Sequence, residues 1–534
     1  MDGVTLQIMS NALRAVAQEM EAALVRAAYS PNITERRDCS AAIFDAGGRM
    51  VVQSASIPVH LGAMPEAVDA VRAHGAVPGE IWAVNDPYRG GTHLPDITMI
   101  SPIAIDGTLG AYAVTRAHHA DIGGMSPGSM PAGSRELLQE GLVIPPVRLV
   151  RDGEPVQDVM ALLLANTRTP VEREGDLRAQ IAAHRLAERR LQEVAHRHAS
   201  DRVKAAFAAL LEYAEHRTRI AIAAMPDGTW TAQEALEGDG ITEDDVWIRV
   251  TVTIAGDRMH VDFTGTDPAV AGNINCPIAV TRSAVYFVVR AVTDPDIPAS
   301  AGAFAPVQVI APPGCLVNAV SPSAVAAGNV ETSSRIVDAV FAALGQAIDV
   351  PAYGQGTMNN LVIGGAGFTY YETIGGGQGA GAHADGPSGV HVTMSNTRNT
   401  PIEALEVTYP LRVLRYRLRH GTGGAGRHRG GDGIERVVQV LVDAQASVLA
   451  ERRASGPPGR LGGAGGAPGR TSVNGEPVAA KWRGELRAGD VIAIESPGGG
   501  GFGSVSWSGR TGPQPRSFLD SHERPDRVAT RRTV

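Results

Sequence analysis

Between Asn85 and Gly124 the sequence reads NDPYRGGTHLPDITM, an apolar segment, and then RAHHADIGG, so that His93, Asp96, His118, His119 and Asp121 fall in two short, glycine-flanked clusters. Imidazole nitrogen and carboxylate oxygen are the donors that a borderline or hard divalent cation takes. A catalytic centre commonly uses three protein ligands and keeps a further position for water or substrate. In THLPD the ring of Pro95 stiffens the backbone, so His93 and Asp96 can converge on one ion. His118 and His119 are adjacent on an expected strand and point to opposite faces, which admits only one of them to a ligand set. His119 and Asp121 then share a face, the arrangement of an imidazole oriented by a carboxylate for proton transfer. The plainer reading, separate polar groups at a turn and a strand end, carries less weight for five such residues than it would for one.

Other candidates are weaker. His60 in PVHLG serves equally well as a pocket residue or as a turn residue. Glu372, His383 and His391 surround a glycine-rich stretch whose backbone N–H groups could bind an anionic substrate, although turn chemistry alone accounts for such glycines. Asp38 beside Arg36 and Arg37 reads as a structural ion pair, with phosphate clamping as the functional alternative. No GxSxG elbow is present, which disfavours a serine hydrolase.

The elements that must position these groups are legible from periodicity. Apolar residues from Val4 to Ala28 recur at the spacing of one helical face, and Pro31 ends that helix. Glu35 to Gln53 reads as a hairpin, with strands around AAIFD and RMVVQ and a Gly-Gly turn whose resemblance to an actin-like phosphate loop is slight. Ile81 to Val84 is a strand leading into the central stretch. A helical pattern runs from Asp176 to about Met225 with a break near Ser200, and strict alternation over Ile248–Ile254 and Met259–Phe263 predicts a second hairpin, within 247–264. Helices are expected at Thr281 to Val292 and at Ser333 to Gln346. After Gly424 come short alternating strands separated by Gly/Pro turns. The fold class is therefore α+β with several subdomains: mixed sheets with hairpins, flanking helices and a small C-terminal β domain. The expected divisions are 1–423, the catalytic region with its metal motif at 85–124; 424–503, the small glycine-rich β domain; and 504–534, a disordered tail.

Length and composition exclude several classes. A chain of 534 residues with 43% hydrophobic and 19% charged residues is that of a large globular enzyme. It has no run of eighteen apolar residues, so membrane spanning is not expected. A net charge of −8 gives no electrostatic reason to expect nucleic acid. The N-terminus has no signal-peptide pattern and the three cysteines lie far apart, both of which point to a cytoplasmic setting. Lysine occurs only at Lys204 and Lys481, and no Gly-Lys-Ser/Thr phosphate-loop triplet exists, so ATP would be bound elsewhere.

The motifs NDPYRGGTHLPDITM, RAHHADIGG, ERRDCSAAIFDAGGRM, IPVHLGAMP, HVDFTGTDP, YYETIGGGQGAG, MSNTRNTPIEALE, GAGRHRGGDG and SPGGGGFG, in order from about Leu6 to Gly503, resemble the hydantoinase B/oxoprolinase family. The resemblance implies one subunit of an ATP-dependent enzyme that opens hydantoin, N-methylhydantoin or 5-oxoproline rings. Related members serve in acetone and acetophenone carboxylases, which makes a ketone the alternative substrate and a non-catalytic scaffold the remaining reading. It further implies a hetero-oligomer in which a hydantoinase A-type partner binds ATP and phosphorylates the substrate. A divalent metal (Mn, Zn or Fe) would sit on His93, Asp96 and His118, His119 and Asp121 would move protons, and His60, Glu372 and His383 would contact substrate.

Overall fold

The apolar stripe of the opening helix, Gly3–Ala27, is the buried set Met9, Leu13, Val16, Met20 and Leu24, and Asp2 caps its N-terminus by accepting from Thr5 N at 3.0 Å. This helix lies with two others, Pro170–His198 and Ser200–Ala223, over one face of a seven-stranded sheet. The helical pattern expected from Asp176 begins six residues earlier, at Pro170, and breaks beside Ser200 as expected. The two later helices divide at Ala199, whose φ of 64° no helix accommodates. The computed structural model describes residues 1–54 and 57–505, so the expected disordered tail lies, beyond Val505, outside the described residues.

The large sheet contains β1 (Cys39–Asp45), β2 (Met50–Ser54), β3 (Ile81–Val84), β4 (Asp96–Ile105), β5 (Thr108–His118), β6 (Val147–Arg151) and β7 (Glu154–Pro155), in the order β2-β1-β5-β4-β3-β6-β7. Its register matters for function. Strands β4 and β5 are joined by Asp106 and Gly107, with φ of 54° and 72°, the positive-φ pair of a tight type I′ hairpin. That turn, with one irregularity at Ile103/Ala104, brings Asp96 at the start of β4 directly opposite His118 at the end of β5.

A second sheet of β8 (Gly228–Leu236), β9 (Val246–Ala255), β10 (Arg258–Asp262) and β11 (Val307–Ile310) contains the expected hairpin as β9 and β10. It buries Ile248, Val250, Val252 and Ile254 against the helices Ile278–Val292 and Ser333–Leu344. The C-terminal β structure starts earlier than residue 424. Strand β12 (Asn360–Gly365), hairpinned with β13 (Phe368–Glu372), pairs with β16 (Ala444–Leu449), and β14 (Leu411–Arg419) pairs with β15 (Gly433–Val440). With β17 (Arg470–Val473), β18 (Glu476–Pro477), β19 (Lys481–Leu486) and β20 (Val491–Glu495) they form two sheets that share one apolar core, including Leu361, Tyr370, Val438, Val448 and Ile494. A boundary at 423/424 would cut through that core.

The glycine-rich segments are not loops with free N–H groups. Gly431 N donates to Gln378 O, Gly499 N to Gly431 O, Gly424 N to Gly499 O and Gly501 N to Ala464 O, all at 2.8–2.9 Å. Backbones from four parts of the chain thus lie side by side with no room for side chains. A Cβ on Gly499 would sit 2.1 Å from Gln378 O, and one on Gly430 would sit 2.0 Å from Gly499 O. In the stretch expected to receive an anion, Gly376 N donates to Val390 O, Gly377 N to Pro497 O, Gly386 N to Arg429 O and Gly389 N to Asp432 O, so these N–H groups are occupied by backbone carbonyls.

Candidate metal centre

His93 sits in the short connection between the turn Pro87–Arg89 and β4. Two glycines make that connection possible. Gly90 has φ of 92° and a Cβ there would lie 2.1 Å from Ala67 N, while a Cβ on Gly91 would lie 2.1 Å from Asn85 O. The buried Asn85 side chain clamps the same turn, donating to Leu94 O at 2.8 Å and Leu142 O at 2.9 Å and accepting from Ile144 N at 2.6 Å.

Across the β4–β5 register the three donor groups converge. Asp96 Oδ1 is 3.2 Å from His93 Nε2 and 3.2 Å from His118 Nδ1, and ligand atoms of all three residues lie within 4.8 Å of one another. Each residue is at most 2% exposed. The two separations from Asp96 suit a shared cation: with ligand bonds of about 2.0–2.2 Å, neighbouring donors of a tetrahedral or octahedral ion stand roughly 3.0–3.5 Å apart. The His93 ring nitrogens and His118 Nε2 make no well-formed hydrogen bond, which is costly for buried imidazoles unless something else accepts their lone pairs. The donor set, the spacing about Asp96 and the unpaired Nε2 of His93 therefore fit a divalent cation.

His60 joins this group. Its Nε2 is 3.5 Å from Asp96 Oδ2, and Ser40 Oγ holds its Nδ1 at 2.9 Å. Thr92 Oγ1 donates to the same carboxylate at 2.5 Å. Burial alone would raise the Asp96 carboxyl, but the surrounding imidazoles of His93, His118 and His60 outweigh it and hold the group well below the usual carboxylate range. Burial lowers His118, partly opposed by its hydrogen bond to Asp96, which favours the neutral ring a cation requires. Against the other face of His118 stacks Tyr371, ring centroids 4.3 Å apart, with Arg36 above the Tyr371 ring at 4.7 Å. His60, Asp96, His118, Asp38, Asn329 and Tyr371 line a cavity of about 20 Å³. A single ordered water needs roughly 10–15 Å³.

The remaining expected site residues are elsewhere. His119 and Asp121 are not a pair. Strand β5 ends at His118, so alternation does not continue beyond it. His119 Nε2 instead meets Gln180 Oε1 at 2.9 Å, while Asp121 binds Arg168 Nη1 at 3.0 Å and accepts from the backbone N–H groups of Gly123, Gly128 and Arg168, pinning a loop. Burial, then the nearby Arg173, pushes His119 down to about 4, and it stays neutral at ordinary pH. Glu372 faces away from the cavity, accepting from Arg436 Nε at 2.7 Å, Thr400 N at 2.8 Å and the Tyr370 hydroxyl. His383 is exposed and does not line the cavity. Tyr371 is the residue that the reading of YYET overlooked: on a strand it must face opposite to Glu372, and choosing one excludes the other.

Residues 2–505 match the family described as hydantoinase B/oxoprolinase. The chain is 36% identical over 533 residues to 5-oxoprolinase 1 of Arabidopsis thaliana, covering 94% of this chain and 42% of that one. It is 32% identical over 536 residues to a putative D-/L-hydantoinase subunit of Pseudomonas sp. strain NS671, covering 94% and 90% respectively. The crystal structure of ATP-dependent caprolactamase from Pseudomonas jessenii superposes with a TM-score of 0.88 at 29% identity, over 94% of this chain and 91% of that one. The chain thus spans about two fifths of the Arabidopsis protein and nearly all of the Pseudomonas hydantoinase subunit and the caprolactamase chain. With residues 2–505 matched, the chain belongs to the hydantoinase B/oxoprolinase family.

Proposed function

We propose that this chain is the ring-opening subunit of an ATP-dependent cyclic-amide hydrolase, acting on a hydantoin-, 5-oxoproline- or lactam-like ring that a separate ATP-binding, hydantoinase A-type partner has activated by phosphorylation. The observation that carries the reading is the buried convergence of His93, Asp96 and His118 beside a cavity, in a chain of this family. Relatives support the rest: one is named as a hydantoinase subunit, and others as a 5-oxoprolinase and an ATP-dependent caprolactamase.

A divalent cation held by His93, Asp96 and His118 would polarise the carbonyl or phosphoryl oxygen of the substrate. The chain's own residues do the remainder. Asp96, kept ionised by its imidazole neighbours, supplies negative charge at the centre. Tyr371 fixes the plane of His118, and its own hydroxyl is anchored by donating to Asn360 Oδ1 at 2.8 Å. His60, oriented by Ser40, stands at the cavity wall where a proton leaves the attacking water and one must reach the ring nitrogen as the C–N bond breaks, after which a second water releases the phosphoryl group as inorganic phosphate. Packing by Ile57, Val59, Val330 and Met358 restricts bulk water.

The test is to reconstitute the chain with its ATP-binding partner and supply ATP with hydantoin, 5-oxoproline or caprolactam, and separately with bicarbonate and acetone. Ring opening with matching ADP release from one of the cyclic amides is the expected result. ADP release that depends on ketone and bicarbonate alone would instead assign a carboxylase.

A further inference from the structure

The cavity beside the cluster accommodates about one water, whereas small-molecule sites usually offer about 300 Å³ or more. A groove of about 530 Å³, open to solvent, lies on the other side of a single stretch of chain. Thr397 lines both spaces, with Met394 and Ser395 on the cavity side and Asn396 and Arg398 on the groove side. The wall between them is therefore one backbone thick.

That wall is built under tension. Thr393, at its start, holds φ of 55°, a left-handed conformation that a β-branched residue rarely adopts, and its buried Oγ1 has no hydrogen-bond partner. His391, on the groove side, bonds Ser395 Oγ at 2.7 Å through Nδ1, which links groove wall to cavity wall, while its buried Nε2 makes no well-formed hydrogen bond. The far end is fixed: Arg398 N donates to Arg36 O at 3.0 Å, and the Thr397 and Thr373 hydroxyls meet at 2.7 Å. Strain thus sits at one end of the segment and anchorage at the other. Arg398 is exposed and makes no ion pair among the described residues. Among the described residues it is the one Arg or Lys side chain lining the groove.

We propose that this groove is the access site for a small substrate carrying an oxyanion, whether a carboxylate of its own or a transferred phosphoryl group, which meets Arg398, and that the Thr393–Thr397 wall yields to pass it to the cluster. The proposal rests on the ring-opening reading above for the identity of what enters, but its structural part can be tested separately.

Hydrogen exchange of the full chain is followed across residues 391–401 with 5-oxoproline, with hydantoin, which lacks a carboxylate, and with inorganic phosphate. Slowed exchange with 5-oxoproline, with phosphate or with both, abolished in Arg398→Ala, supports the site and tells the carboxylate from the phosphoryl source. No protection, protection by hydantoin alone, or protection that persists in Arg398→Ala overturns it. In the reconstituted complex, Asn396→Trp, which fills the groove from an exposed position, is expected to raise KM at least tenfold with metal content unchanged, and an unaltered KM contradicts the port. If the wild-type complex opens no ring at all, the functional reading fails while the exchange experiment still decides whether the groove binds an oxyanion.

Discussion

His118 and His119 are neighbours, equally buried, and belong to two different polar regions. His118 shares a carboxylate with His93, stacks on Tyr371 and borders a cavity, and its Nε2 has no partner. His119 turns the other way, under the helix Pro170–His198, into a row of neutral partners: Gln180 bridges it to Thr115, and His184 meets Ser101 Oγ at 2.7 Å and Thr115 Oγ1 at 3.0 Å. The first region gathers charge around one carboxylate; an unpaired ring nitrogen does not separate the two, because His119 Nδ1 also makes no hydrogen bond. The second offers its imidazoles only hydroxyl and amide partners, as a buried structural network does. Burial does not distinguish a functional histidine here; the chemistry of its partners does.

This contrast breaks most severely at Asp96. Asp96→Ala should abolish metal retention, read by elemental analysis, and lower turnover by about 10³-fold or more, since a polarising cation supplies several kcal/mol at the transition state. Tyr371→Leu removes the ring behind His118 without touching a donor, and should weaken metal affinity about 10–100-fold in a chelator competition. On the other side, His119→Gln should leave metal content intact and cost about 1–3 kcal/mol in denaturant unfolding, the effect of a disturbed buried hydrogen bond. A loss of metal in His119→Gln would erase the distinction between the regions.

The second region also sets a pH dependence. Burial pushes His184 down to about 3 from an ordinary value near 6.5. Between those values the unfolded chain binds a proton that the folded chain does not, so stability falls as pH drops through this window, by at most about 1.4 kcal/mol per pH unit for this residue. His184→Gln should flatten that acid limb in urea titrations at pH 4 to 6, and an unchanged slope would remove His184 as its source.

Much of this was legible in the sequence where the cause was local. The opening helix, both hairpins and the helices at Ile278–Val292 and Ser333–Leu344 follow from period and turn chemistry. The convergence of the two clusters was readable because one hairpin brings its ends together, whereas the choice of His118 over His119 came from the family resemblance. What was missed depends on distant partners. Nothing near His119 announces Gln180, and strand alternation was carried three residues past the end of β5, to Asp121. Tyr371 reaches His118 from another sheet, beyond any local pattern. The glycines after Gly375 looked like turns because the close backbone approach that requires them comes from segments far along the chain.

If His93, Asp96 and His118 hold one divalent cation, ring opening depends on it. Elemental analysis of the purified, active complex measures this directly, alongside the same complex carrying Asp96→Asn, which preserves the side chain's shape. The account requires about one equivalent of Mn, Zn or Fe per chain, lost together with activity in the variant. An active wild-type complex with only trace metal, or a variant that is active without it, would contradict the claim.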